Sequence, residues 1–129
     1  MPIPNTILIA FGPEQCVLDL ADGRLAGSLL QRNAIGDKVH GNEESESNSV
    51  IIELPTVGPD SINEAEDWIR THAEHLIACH AEKIIEFQTI LEPNIGSRIL
   101  TLPNSIIKLC ADTGLGIANQ SFQVFSDGE

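Results

Sequence analysis

The stretch SINEAEDWIRTHAEHLIACHAEK, residues 61–83, decides the fold, because its start signal and its hydrophobic period both indicate one long amphipathic helix. Ser61 is a favourable N-cap, and Glu64 follows three residues later, as in a capping box. Core-compatible side chains then recur with the three- and four-residue spacing of a single buried stripe. The stripe consists of Ile62, Ala65, Ile69, His72, Leu76 and Cys79. It must pack on an apolar surface, and we expect that surface to be a β-sheet.

Runs of alternating or β-branched residues on both sides of this helix predict the strands. The predicted strands cover residues 5–11, 50–54, 84–91, 98–102 and 120–125. A turn at residues 93–96 joins two of them, and a second helix runs from Asn104 or Ser105 to a C-cap at Gly114. We therefore predict an α+β fold: an antiparallel sheet of about five or six strands packed against one long and one short helix. We expect residues 1–129 to form a single acidic domain.

Two segments that precede the long helix are less regular. Residues 15–30 allow two interpretations, of which the first is a hairpin around Asp22-Gly23, a strong type I′ turn signal. In the second, Pro13 opens a short helix that Gly23 ends. We favour the hairpin. Residues 31–49 are polar and lack an apolar period, which predicts a mobile acidic loop.

The charge of the chain limits its partners. A net charge of -12 arises from 19 acidic and seven basic residues. Such a field repels nucleic acid and anionic membranes and attracts basic surfaces. Three cysteines without CxxC spacing are typical of free thiols in a reducing compartment, and no signal peptide or membrane-spanning run is evident. We expect a cytoplasmic protein that binds neither nucleic acid nor membrane directly.

The histidines are the candidates for chemistry. His72, His75 and Cys79 stand at i, i+3 and i+7, so they project from neighbouring parts of one helix face and offer ligands that suit zinc. His72 and Cys79 also belong to the buried stripe, where packing is the simpler role. No phosphate-binding glycine loop, nucleophile elbow or zinc-protease spacing is present. We predict no catalytic residue, metal or cofactor, and keep a small His/Cys metal enzyme as the least favoured alternative.

The acidic residues are the candidates for binding. The predicted loop carries one group of them and the exposed helix face carries a second, with the single tryptophan beside it. The partner-binding candidates are Glu43, Glu44, Glu46, Glu64, Glu66, Asp67, Trp68 and Glu74. Exposed carboxylates also serve solubility alone, and Trp68 at the margin of the stripe is better explained by core packing. If it is exposed, an aromatic among acids is typical of an anchor for a cationic partner.

From residue 75 onward the chain resembles the later half of a group of small bacterial domains of uncharacterised function. The shared elements are a Leu-Pro step, apolar positions in the short helix, and the segment that follows it. They are Leu102, Pro103, Ile106, Ile107, Leu109, Gly114, Leu115 and Ile117. Members of such groups resemble immunity proteins of polymorphic or contact-dependent toxin systems. The resemblance implies an inhibitor of a bacterial toxin, and it also implies a helix where we favour the Asp22-Gly23 hairpin.

Two functional hypotheses follow besides the metal enzyme. The first is an immunity-type inhibitor that binds a cognate basic toxin, such as a nuclease, through its acidic surface and occludes a positive cleft. The second is a non-catalytic adaptor or self-associating protein, in which the hairpin of residues 84–102 provides an edge for strand pairing. The sequence does not determine the oligomeric state.

Overall fold

A computed structural model of the chain describes residues 6–23, 25–55, 61–91 and 101–123. Its strands are β1 (Thr6–Gly12), β2 (Ser28–Asn33), β3 (Lys38–His40), β4 (Glu43–Glu44), β5 (Asn48–Glu53), β6 (Glu82–Leu91) and β7 (Leu115–Gln123). Its helices are α1 (Gln15–Asp19), α2 (Ser61–Thr71), α3 (Ala73–Ala78) and α4 (Asn104–Asp112). Within these residues, five strands form one sheet in the order β2-β5-β1-β6-β7, and β3 pairs with β4 in a separate two-stranded ribbon.

The sheet is mixed and mostly antiparallel. β1 lies at its centre, where Leu8 faces Ile52 of β5 on one side and Ile85 of β6 on the other, both in antiparallel register. β7 pairs with β6 in parallel, so the chain between them has to cross over, and α4 lies in that stretch. The predicted α+β class and the sheet packed on helices are confirmed. The parallel pair at one edge was not predicted.

Alternate residues of the three central strands supply the core. Leu8 and Ala10 of β1 are fully buried, as are Val50 of β5 and Ile85 of β6. The helices cover this face with aliphatic side chains, and each buried Leu or Ile stabilises the fold by about 1.5–3 kcal/mol relative to exposure. The principal helical contributors are Val17, Ala65, Ile69, Leu76 and Ile106.

The segment 61–83 is not one helix. It divides into α2 and α3 at His72, whose backbone (φ −105°, ψ 11°) departs from helical values, and α3 ends at Ala78. Long-range contacts involve the residue at the break: the His72 Nε2 atom accepts a hydrogen bond from the Ala26 amide at 3.3 Å, and its ring packs against Trp68. The prediction of one helix to residue 83 is therefore wrong, and β6 already begins at Glu82.

Residues 15–23 form the helical alternative. α1 and the turns after it bury Val17, Leu18 and Leu20, and Gly23 follows with a φ of +82° that favours glycine. A strand would place Val17 and Leu18 on opposite faces, whereas one helical turn buries both. The favoured hairpin is wrong, and β2 begins only at Ser28.

Residues 31–49 are largely ordered in strands. β2 continues to Asn33, β5 starts at Asn48, and the ribbon of β3 and β4 lies between them. Gly36 and Gly41 have φ values of +92° and +60°, as tight turns require. The segment is therefore not an irregular loop throughout, and a ribbon that is exposed on both faces leaves no apolar period in the sequence.

The carboxyl-terminal elements agree in part with the prediction. α4 begins at Asn104, and Gly114, with a φ of +73°, follows its end as expected. β7 starts at Leu115, five residues before the predicted strand 120–125. The predicted turn 93–96 and most of the strand 98–102 lie outside the described residues, and Thr101 and Leu102 are not in a strand. None of the helices described is long and apolar enough to cross a membrane.

Candidate functional site

The three acidic residues predicted in the loop lie together at one end of the sheet. Glu43 and Glu44 form β4, and Glu46 lies in the connection to β5; all three are exposed. β5 starts beside the carboxyl end of β1, where Asn48 faces Gly12. We call residues 34–47 the arm. It carries four carboxylates and one lysine, so its formal charge is negative.

The other predicted acids lie on the helices, apart from the arm. They are Glu64, Glu66, Asp67 and Glu74. Next to the first three, the Trp68 indole donates a hydrogen bond to the Ala26 carbonyl at 2.8 Å, two residues before β2 begins. The start of β2 faces the end of β5, since Ser28 pairs with Glu53. The arm is attached at the other end of both strands, so Trp68 and the acids beside it on α2 lie away from the arm.

The predicted binding residues on the helices also differ in how far a partner could reach them. Glu66 is mostly buried, forms an ion pair with Arg70 at 3.0 Å, and accepts a hydrogen bond from the Ser105 hydroxyl at 2.6 Å, which ties α2 to α4. Glu64 is half-buried, whereas Asp67 and Glu74 are exposed. Trp68 is only 6% exposed, as expected for a core-packing residue. It is not available on this surface as an anchor.

Exposed apolar side chains lie on β2 and in the arm. Within the described residues, four of the eight exposed large hydrophobic side chains lie between residues 29 and 39. They are Leu29, Leu30, Ile35 and Val39, on edge strand β2 and in the arm. A water-exposed group of this kind is typical of an interaction surface. We call β2 and the arm together the edge surface; composition alone did not reveal it, because its apolar and acidic residues are scattered in the sequence.

Backbone hydrogen bonds hold the arm in shape. The Asp37 carboxylate accepts the Ala34 amide at 2.8 Å, and the Ser45 amide donates to the Asp37 carbonyl at 2.7 Å. Asn48 attaches the arm to the rest of the molecule: its Oδ1 atom accepts the Ile35 amide at 2.9 Å and its Nδ2 atom donates to the Glu14 carbonyl at 3.0 Å. The surface is therefore built on a braced ribbon instead of a free loop.

Two of the residues considered for zinc, His72 and Cys79, have other partners. His72 binds the Ala26 amide, which requires a neutral Nε2 atom, and burial lowers the pKa of His72 below its ordinary value. Cys79 contacts Cys16 instead of an imidazole. In the part of the chain that the structure describes, no group of three or more His, Cys, Asp or Glu side chains is arranged to hold a metal ion.

The two cysteines meet beneath a small crevice. Cys16 on α1 is half-buried, Cys79 at the end of α3 is 1% exposed, and their sulfur atoms lie 2.6 Å apart. The crevice has a volume of about 190 Å³, and His75 and Asp19 also line it. Burial and the hydrogen bond with Cys16 raise the pKa of Cys79 to about 11. The contact joins residues 63 positions apart, so no local motif predicted it.

A second crevice, of about 460 Å³, has a buried lysine among its lining residues. Lys83 is 5% exposed, and its ammonium group donates hydrogen bonds to the carbonyls of Cys79 and Ala81 just after α3. A cation at the end of a helix is favourable there. Lys83 lies two residues before Ile85 and four before Phe87, so the alternation of a strand places all three side chains on the same, buried face. This spacing was a sequence signal that Lys83 points into the core. We interpret its role as bracing the chain between α3 and β6.

No protein-family model, curated protein or solved structure matches this chain. The α+β architecture and the edge surface therefore have to be interpreted from their own chemistry.

Proposed function

We propose that this protein is a non-catalytic, cytoplasmic inhibitor of the immunity type, which binds and neutralises a cognate basic protein such as a nuclease toxin. The observation that carries the proposal is the composition of the edge surface. The arm carries exposed Ile35 and Val39 together with Glu43, Glu44 and Glu46, and β2 adds exposed Leu29 and Leu30. Exposed apolar side chains offer burial to a partner, and the carboxylates of the arm steer a cationic one towards it.

The net charge of -12 supports a basic partner. A protein that cleaves nucleic acid needs a positive cleft, and carboxylates held on a braced ribbon can occupy the positions of phosphates. The helix acids are a weaker basis for the proposal. Glu66 is engaged by Arg70 and Ser105, and Trp68 is buried. Asp67 and Glu74 are exposed and lie on other elements, so they provide a matched comparison.

The expected effect of charge reversal can be worked out from Coulomb's law. One unit charge about 7 Å from a partner charge contributes roughly 0.3 kcal/mol in water after screening by physiological salt. Replacing two glutamates by lysines changes the charge by four units, which gives roughly 1.2 kcal/mol, or nearly tenfold in Kd. Most of this loss should appear as slower association that depends on salt.

The test compares two double variants with equal net charge. Glu43→Lys/Glu44→Lys alters the edge surface, and Asp67→Lys/Glu74→Lys alters helix positions. Each is immobilised beside the wild type and exposed to an extract of the source cell, and bound proteins are identified by mass spectrometry. We expect the wild type and the helix variant to retain one strongly basic protein that the edge variant loses. The purified partner is then assayed for nuclease activity with and without the wild-type chain.

Three results would contradict the proposal. The first is a partner that is not basic, and the second is equal capture by both variants. The third is a partner whose activity is unchanged by a stoichiometric amount of the chain.

Self-association is the second candidate, and the structure changes where it would occur. β6 is flanked by β1 and β7, so residues 84–91 are not a free edge as the hairpin hypothesis required. β2 is an edge strand with Leu29 and Leu30 exposed, and it could pair with a second copy. Light scattering over a range of concentrations distinguishes the two functions, since a dimer that Leu30→Lys dissociates would favour self-association.

A further inference from the structure

We propose that Cys16 and Cys79 form an oxidisable dithiol site, which closes to an intramolecular disulfide by exchange with a low-molecular-weight disulfide. The site goes beyond the proposed inhibitor function and does not depend on it. The three cysteines are free thiols in this structure. The juxtaposition of two of them on different elements carries the inference.

The first step of the argument is geometry. The two sulfur atoms are in direct contact at 2.6 Å, and the sulfur atoms of a disulfide are about 2.05 Å apart. Cys16 lies on α1 and Cys79 just after α3, and both α1 and α3 pack on the sheet. Little backbone movement is needed to join them. Most pairs of cysteines in a folded protein are too far apart to form a disulfide without a large movement of the backbone.

The second step is access. Cys16 is half-buried and lines the crevice of about 190 Å³, whereas Cys79 is 1% exposed. A small disulfide that enters from solvent therefore meets Cys16 first. The third cysteine, Cys110, is also 1% exposed and lies on α4; burial raises its pKa to about 11. It has no thiol partner among the described residues, so it provides an internal control.

The chemistry is two successive thiol–disulfide exchanges. The Cys16 thiolate attacks one sulfur of the small disulfide, forms a mixed disulfide and releases one small thiolate. Cys79 then loses its proton, attacks the Cys16 sulfur and releases the second small thiolate. The two protein thiols lose two electrons, the small disulfide gains them, and the two cysteine protons end on the released thiols. Because burial raises the pKa of Cys79, the second exchange should accelerate as the pH rises.

The cross-link would close a long loop. It joins residues 63 positions apart, and a loop of that length removes much of the freedom of the unfolded chain. The oxidised protein should therefore unfold at a urea concentration higher by roughly 1–2 M than the reduced protein. The oxidised form would be the more persistent one outside a reducing compartment.

The test uses the full chain in equal, roughly millimolar amounts of oxidised and reduced glutathione, with free thiols then trapped by alkylation. Trypsin places the three cysteines on three different peptides, residues 1–24, 71–83 and 109–129. Mass spectrometry therefore identifies the cross-linked pair without any substitution. We expect the 1–24 and 71–83 peptides to be joined in more than half of the molecules, with Cys110 alkylated.

Two variants complete the test. Cys79→Ser should stop at glutathione bound to Cys16, and Cys110→Ser should cross-link as the wild type does. If either variant fails to fold, the peptide map of the wild type still decides the question. The proposal is overturned if Cys16 carries only glutathione in the wild type, if Cys110 takes part in the cross-link, or if the disulfide joins two chains.

Discussion

Replacing Asn48 by alanine should destabilise the protein and loosen the arm. Asn48 is 5% exposed and makes two well-formed hydrogen bonds, to the Ile35 amide at 2.9 Å and the Glu14 carbonyl at 3.0 Å, with a longer third one of 3.5 Å to the Pro13 carbonyl. Each of the two short bonds contributes about 1 kcal/mol. Alanine removes both and leaves their partners without a replacement, so we expect a loss of about 2 kcal/mol.

Urea denaturation followed by the fluorescence of the only tryptophan, Trp68, measures this loss. With a urea dependence of about 2 kcal/mol per molar, the midpoint should fall by about 1 M. The Ile35 amide should also exchange its hydrogen faster, since its acceptor is gone. Asn63→Ala is the control: Asn63 is exposed on α2, where alanine favours the helix, so its midpoint should not fall.

The result that would refute this reasoning is an unchanged midpoint together with unchanged exchange at Ile35. The arm would then be held by its internal hydrogen bonds alone. The same variant bears on the edge surface without altering any charge. If partner binding needs an ordered arm, Asn48→Ala should weaken capture of the basic protein, whereas Asn63→Ala should not.

Two further predictions concern other parts of the fold. Gly27→Ala should lower the free energy of unfolding by about 3 kcal/mol or more, because Gly27 has a φ of +138° and a Cβ atom there would overlap the Glu53 carbonyl oxygen. Gly23→Ala is the control: Gly23 also has a positive φ but faces open space, so the same urea assay should show a loss of only about 1–2 kcal/mol. Because the pKa of His72 is lowered in the folded protein, its contribution to the free energy of unfolding should be fully present above pH 6.5, the ordinary pKa of histidine. This contribution should be lost as the pH falls from there through the lowered pKa of the folded protein, since protonation of His72 breaks the hydrogen bond from the Ala26 amide. His72→Gln should flatten that decline in urea midpoints measured across the acid range, and an equally steep decline in the variant would exclude His72 as its source.

Local patterns predicted the elements whose burial follows a simple period. Ala65, Ile69 and Leu76 are buried as the stripe indicated, and α4 begins at Asn104 and is followed by Gly114 as predicted. The division at His72 was not predictable, because the contact made there comes from Ala26, 46 residues away. A helical period cannot report a hydrogen bond from another part of the chain.

The sequence predicted which acidic residues of the candidate site are exposed in the arm, but not where they lie relative to the acids on the helices. Glu43, Glu44 and Glu46 are exposed as expected, but the strand order separates them from Asp67 on α2. That order depends on which strands pair, which is a property of the whole chain. The same holds for the thiol pair and for the exposed residues of β2, because each becomes recognisable only when distant segments are adjacent.

The central place of β1 has a consequence for biosynthesis. Leu8 acquires its neighbours from residues 44 and 77 positions later in the chain, at Ile52 and Ile85. At translation speeds of about 5–20 residues per second, β1 waits roughly 4–15 s before its second neighbouring strand is made. Until β5 is made the nascent polypeptide presents TILIAF without a neighbouring strand, and the other side of β1 stays unpaired until β6 follows. A ribosome-associated chaperone that shields such segments should therefore raise the yield of native protein, and slowing translation should lower it.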